Sequence, residues 1–215
     1  KVIYDAAHAF GVTYKGVGVG NFGDASMFSF HATKVFNCIE GGAVAFRDKK
    51  YRVPLHELKN FGIHGQEDTV SIGGNAKLDE FRAAMGICNL RHIDEYIATR
   101  AEVVKRYDER LGDIPGLRLI KPSAESTPNH AYYPVYFDEK VFGKTRDIVY
   151  EELKDQDIMA RKYFYPAINE MTCYKYDYPK NTPIAHDAAG HVLTLPLYEG
   201  LSIKDVDRIC DIVLG

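Results

Sequence analysis

The first 46 residues carry their apolar positions in short runs broken by small or polar residues. Val2 to Tyr4 ends at Asp5 and is followed by Ala6, Ala7, Ala9 and Gly11, which predicts a buried strand entering a turn. Ala25 to Phe30 and Gly42 to Phe46 predict two further strands flanking His31 to Glu40, the arrangement of an α/β sheet edge. From Asp79 to Leu111 the apolar residues, among them Ala84, Ile87, Cys88, Ile97, Val104 and Tyr107, recur at helical spacing. That predicts one long helix or two in tandem. After Pro115-Gly116 the pattern turns to short β-rich stretches, 117–120 and 132–137, and then to an amphipathic helix near 144–155. Further elements are expected around 158–165, 186–191 and 192–195, with a closing helix from Ser202, a suitable N-cap, to Leu214. A boundary near residue 111 divides the chain into 1–111 and 112–215.

Composition narrows the class. With 46% hydrophobic residues over 215 positions the chain has enough apolar material for a packed core. Lys and Arg number 27 against 30 Asp and Glu, for a net charge of -3, and no block of one sign suggests a nucleic-acid or membrane surface. A small-molecule partner is the default. Cys38, Cys88, Cys173 and Cys210 lie too far apart for a zinc site, so no metal is expected, and they read as reduced, mostly buried thiols of a cytoplasmic protein. No run approaches the ~20 apolar residues of a membrane span, and no signal-peptide pattern opens the chain. Lys1 to Asp5 instead reads as a strand already under way, which marks the chain as a fragment.

Candidate chemistry concentrates between Asp5 and Gly42, where an acid at a strand end, Ser29 before a turn and Lys34 near a glycine pair can meet in one crevice. Each has a plainer reading alone: a turn cap, a local hydrogen-bonder and a solvated lysine. Gly16, Gly18 and Gly20 lack the G-x-G-x-x-G spacing of a dinucleotide fingerprint and predict a loop between strands. Tyr132, Tyr133, Tyr163 and Tyr165 suit half-buried strand positions better than a base-stacking platform.

Asp5-Ala6-Ala7-His8-Ala9, Ser29-Phe30-His31-Ala32-Thr33-Lys34 and Glu40-Gly41-Gly42 together resemble the acid, cofactor-lysine and glycine-turn motifs of the DegT/DnrJ/EryC1/StrS family of sugar aminotransferases. His64-Gly65 and the segment from Gly74 to Ala84 are similar to later motifs of the family, with Lys77 and Phe81 departing from its commoner pattern. Arg161 to Pro166 and Leu195 to Tyr198 resemble its C-terminal landmarks, so the resemblance covers essentially the whole chain.

The resemblance implies an α/β fold, part of the large-domain sheet of a fold type I aminotransferase with its linking helix, followed by a small α+β C-terminal domain. It implies pyridoxal 5'-phosphate as cofactor, with Lys34 holding it as a Schiff base and moving the proton in each half-reaction. Asp5 would pair with the pyridine nitrogen, His8 lie against the ring, Ser29 bind the phosphate, and Asn75 reach the phosphate of a neighbouring chain in a homodimer. His64 suits either that interface or an ordinary turn. Glutamate is the implied donor and a nucleotide-linked keto-sugar, nearest to a 4-keto-6-deoxyhexose, the acceptor. Lys34 argues for transamination, since family members that dehydrate sugars carry His there. The rival is a non-catalytic binding or regulatory protein retaining the fold.

Overall fold

The computed structural model describes residues 1–174 and 181–215. The strands are β1 (Ile3–Asp5), β2 (Thr13–Tyr14), β3 (Val17–Gly18), β4 (Ala25–Ser29), β5 (Gly42–Phe46), β6 (Ile63–Gly65), β7 (Asp68–Thr69), β8 (Leu117–Leu119), β9 (Ser126–Thr127), β10 (Tyr133–Phe137) and β11 (Val192–Leu195). The helices are α1 (Arg52–Lys59), α2 (Glu80–Leu90), α3 (Ile93–Leu111), α4 (Glu139–Phe142), α5 (Arg146–Lys154), α6 (Pro183–His191) and α7 (Ile203–Leu214). They form two compact units, one of Lys1–Ile97 with Ser123–Ala131, the other of Ala98–Pro122 with Tyr132–Gly215.

In the first unit a three-stranded sheet has the order β1-β4-β5. β1 runs parallel to β4 with Asp5 opposite Met27, and β5 returns antiparallel with Gly42 opposite Ser29. The expected buried first strand is corrected: Ile3 is 73% exposed, because β1 is the sheet edge and the chain lays nothing over it. Beneath the loop after β4, Phe10 stacks on Phe36 and meets Phe28 and Phe30 edge-on, so the loop rests on an aromatic cluster. Gly16 and Gly18 belong to a β2–β3 hairpin, whose turn places Lys15 and Gly16 at positive φ, Gly20 lies in the 3-10 turn that follows, and β9 pairs with the far side of β2. The tandem-helix expectation resolves into α2 and α3. Asp79 caps α2 by accepting from the Arg82 amide.

The second unit packs the antiparallel sheet β11-β10-β8 against α5 and α7 and the later turns of α3. Strand alternation sends Tyr133, Val135 and Phe137 of β10 into the core, while Val149 and Leu153 of α5 and Val206, Ile209 and Val213 of α7 meet them. Each fully buried aliphatic side chain there is worth roughly 1.5–3 kcal/mol. Ser202 caps α7 as expected, accepting from the Asp205 amide. The element expected over 158–165 contributes only an isolated bridge from Arg161 to Thr194. All four cysteines are free, but Cys88 and Cys173 are exposed, which corrects the expectation of mostly buried thiols. Among the described residues no helix is long and apolar enough to cross a membrane, and no cluster of three or more His, Cys, Asp or Glu could hold a metal ion.

Candidate active site

Parallel pairing of β1 with β4 brings the carboxyl ends of two strands to one edge, with Asp5 ending the first and Ser29 the second. Ligands of open parallel sheets bind at such an edge, where loops leave the strands. Asp5 Oδ1 accepts a 3.1 Å bond from the Ala7 amide, so the turn-cap reading holds for one of its oxygens. The chain then turns through His8, which is half-buried. Burial holds the His8 imidazole below its ordinary pKa, the positive charge of Lys34 pushes the same way, and the Asp5 carboxylate opposes both. Asp5, His8 and Lys34 thus share one electrostatic neighbourhood.

The loop from Phe30 to Gly41 carries Lys34. It continues the β4–β5 ladder, with the Phe30 amide donating to the Gly41 carbonyl and the Ala32 amide to that of Ile39. Val35, Phe36 and Cys38 are buried beneath it while Lys34 is half-buried, so the apolar residues anchor the loop that carries the amine. A methyl group on Gly42 would lie 2.8 Å from the Phe28 carbonyl oxygen, which explains a glycine opposite Ser29. Ser29 Oγ accepts from the His31 amide at 3.3 Å, leaving its own proton to donate.

Asn75 lies elsewhere in the unit. It bridges to Asn60, and its Oδ1 accepts from Lys77 Nζ at 2.9 Å. With Ser29, Glu40, His64 and Lys77 it lines an open groove of about 1340 Å³ beside β4 and β5. Asp5 and Ser29 therefore end neighbouring strands, His8 and Lys34 share the electrostatic neighbourhood of Asp5, and Asn75 shares a groove with Ser29. His64 is ion-paired with Glu57, whose hydrogen bond and charge raise the imidazole pKa.

Three asparagines that the sequence did not single out support this edge. Asn37 Nδ2 donates to the Lys34 carbonyl at 3.2 Å, and Asn89 of α2 donates to the Asn37 carbonyl at 2.9 Å. Asn129, only 5% exposed, donates to the carbonyls of His8 and Phe10, both at 2.8 Å. Asn37 was within reach of a local turn argument. The other two act across long sequence separations that no spacing rule connects.

The family model described as the DegT/DnrJ/EryC1/StrS aminotransferase family matches residues 1–214. A dTDP-4-amino-4,6-dideoxy-D-glucose transaminase of Shigella dysenteriae is 39% identical over 210 residues, which are 97% of this chain and 57% of that protein. GDP-perosamine synthase of Caulobacter vibrioides is 32% identical over 97% of this chain and 56% of its own length. Among solved structures, DesI, crystallised in the presence of its TDP-sugar product, superimposes with a TM-score of 0.92 at 35% identity, over 99% of this chain and 54% of that one. The chain thus spans a little over half the length of the relatives it matches.

Proposed function

The chain belongs to the DegT/DnrJ/EryC1/StrS aminotransferase family, and from that premise we propose that it carries the lysine-bearing part of a pyridoxal-phosphate-dependent transaminase of nucleotide-linked keto-sugars. Its architecture is part of the fold type I large-domain sheet followed by a small α+β domain. In this reading 1–111 is the cofactor-binding portion and 112–215 the small domain.

The observation that carries the reading is the placement of Asp5 and Ser29 at the carboxyl ends of the paired strands β1 and β4, with His8 and Lys34 in the electrostatic neighbourhood of Asp5. That donor set fits pyridoxal 5'-phosphate: a carboxylate for a ring N–H, a hydroxyl for a phosphate oxygen, a flat imidazole for a ring face, and a half-buried primary amine. When bound, the cofactor supplies an electron sink for a carbanion at the carbon that loses or gains the amine. Lys34 Nζ would remove the proton from the α-carbon of the amino donor in one half-reaction and would protonate the former carbonyl carbon of the acceptor in the other, the cofactor carrying the amine between the two. The Asp5 carboxylate keeps a proton on the ring nitrogen, and the Ser29 hydroxyl orients the phosphate. Burial, and behind it the charge of Lys34, favour the neutral form of His8 against the opposing Asp5 carboxylate.

The name of the Shigella relative supports a 4-amino-4,6-dideoxy sugar as product and so a 4-keto-6-deoxyhexose as acceptor, while glutamate as donor follows from the family resemblance alone. A homodimer in which Asn75 reaches the neighbouring subunit's phosphate completes the proposal. The test uses the full-length protein and its Lys34→Ala variant, with pyridoxal phosphate, glutamate and a panel of nucleotide-linked keto-sugars. Wild type is expected to show a borohydride-sensitive absorbance band and to turn over at least one sugar; the variant loses both. Wild-type-like turnover in Lys34→Ala would sink the assignment.

A further inference from the structure

Asn129 stands 121 positions from His8 in sequence, yet both belong to the first compact unit. The segment that carries it is fastened before it arrives. β9 pairs with β2, Tyr14 Oη donates to Glu125, and Lys15 forms an ion pair with the same carboxylate. At the end of this segment the Asn129 side chain is 5% exposed and fully engaged: its Nδ2 serves the carbonyls of His8 and Phe10, and its Oδ1 accepts from the Ala131 amide at 3.1 Å. The turn's own backbone bonds use the carbonyls of Ala6 and Ala9, so the two carbonyls flanking Ala9 fall to Asn129.

These two carbonyls belong to residues that matter on both sides of the candidate site. His8 lies beside Asp5 and Lys34. Phe10 stacks on Phe36 with ring centroids 4.4 Å apart, and Phe36 is the buried anchor two residues beyond Lys34. We propose that Asn129 is a positioning residue of the cofactor site, its one amide setting the His8–Phe10 turn and, through the Phe10–Phe36 stack, the base of the Lys34 loop. The proposal rests on reading Asp5, His8 and Lys34 as that site. An apolar residue of similar size would fill the space and leave two part-buried carbonyls without donors, so the amide is required by geometry as well as volume.

The test uses the full-length protein with Asn129→Ala, Asn129→Ser and, as control, Ser126→Ala, which removes a 2.7 Å hydrogen bond to Ser123 in the same segment without touching the turn. Two quantities are read: the titration midpoint of the His8 ring by NMR without cofactor, and the dissociation constant for pyridoxal phosphate. The charged groups that set the His8 midpoint are Lys34 and Asp5, behind the larger effect of burial. Asn129→Ala is expected to release the turn, raise the His8 midpoint toward that of an ordinary imidazole, and weaken cofactor binding by about tenfold or more, the scale on which displaced supporting residues act. Asn129→Ser keeps one donor and follows in the same direction with a smaller shift, which covers the case in which the alanine variant does not fold. Ser126→Ala leaves both quantities within about twofold of wild type. A folded Asn129 variant with an unmoved His8 midpoint and unchanged cofactor affinity overturns the proposal, as does an equal effect of Ser126→Ala. Should the wild-type protein bind no pyridoxal phosphate while the His8 midpoint still moves, the transaminase reading falls and the positioning of His8 by Asn129 stands.

Discussion

Asp5 has two roles that one substitution can separate. Its Oδ1 accepts from the Ala7 amide and shapes the turn, while its charge acts on His8 and, in the proposed function, on a ring N–H. Asparagine keeps an oxygen for the Ala7 amide but carries no charge, so Asp5→Asn should preserve the turn and retain part of the cofactor affinity. The chemical step should slow by about 10²–10³-fold, the usual scale for loss of one preorganised electrostatic contact. Single-turnover rates measured beside a melting curve check this. A rate within about twofold of wild type would leave Asp5 a turn cap and nothing more.

Strand and helix context decides what a methyl group does at the glycines. In β5, a Cβ at Gly42 would come 2.8 Å from the Phe28 carbonyl and force β5 away from β4 at the level of Ser29. In α6, a Cβ at Gly190 meets nothing within 4 Å. The same change to alanine should therefore have opposite signs. Gly42→Ala is expected to destabilise by about 1–3 kcal/mol, as overpacking does, and to weaken cofactor binding by moving Ser29. Gly190→Ala should stabilise by roughly 0.5–1 kcal/mol through the entropy of the unfolded chain. Urea denaturation of both variants decides it. Equal and small effects would mean that the β4–β5 spacing at Ser29 is softer than its geometry implies.

Across the molecule, the two units differ in how their apolar residues are used. The second buries a continuous core from Val103 to Val213. The first leaves Val2, Ile3 and Tyr4 of its edge half-exposed or more, with Ile72 at 97% and Phe81 at 90% exposed. Exposed large apolar side chains in this number point to an interaction face, and the unpaired edge of β1 adds open backbone groups to it. The 215-residue chain expressed alone is therefore expected to associate, with another copy or with a co-purifying segment that covers β1. Sedimentation velocity at micromolar concentration gives the answer. A clean monomer of 24.2 kDa would show that these faces need no cover.

Apolar patterning located α2, α3, α5, α7 and the strands β1, β4, β5, β8, β10 and β11, although for β1 the apolar run gave the strand and not its exposure. It missed α1, where Pro54 interrupts the pattern yet sits harmlessly in the first turn. It missed β2, β3 and β9 as well, since strands of two residues carry no readable period and β9 finds its partner β2 far away in the chain. The candidate residues Asp5, Ser29 and Lys34 were legible because their motif order is local, and the acid, hydroxyl and amine chemistry follows from their identity. What only the tertiary structure decided is how they are held. The register of β1 on β4 set Asp5 and Ser29 at one edge, packing rather than sequence order put His8 beside Lys34, and Asn129 acquired its place from β9 pairing with β2. A side-chain amide binds whichever carbonyls the fold brings to it, and that choice is not written in the residues around it.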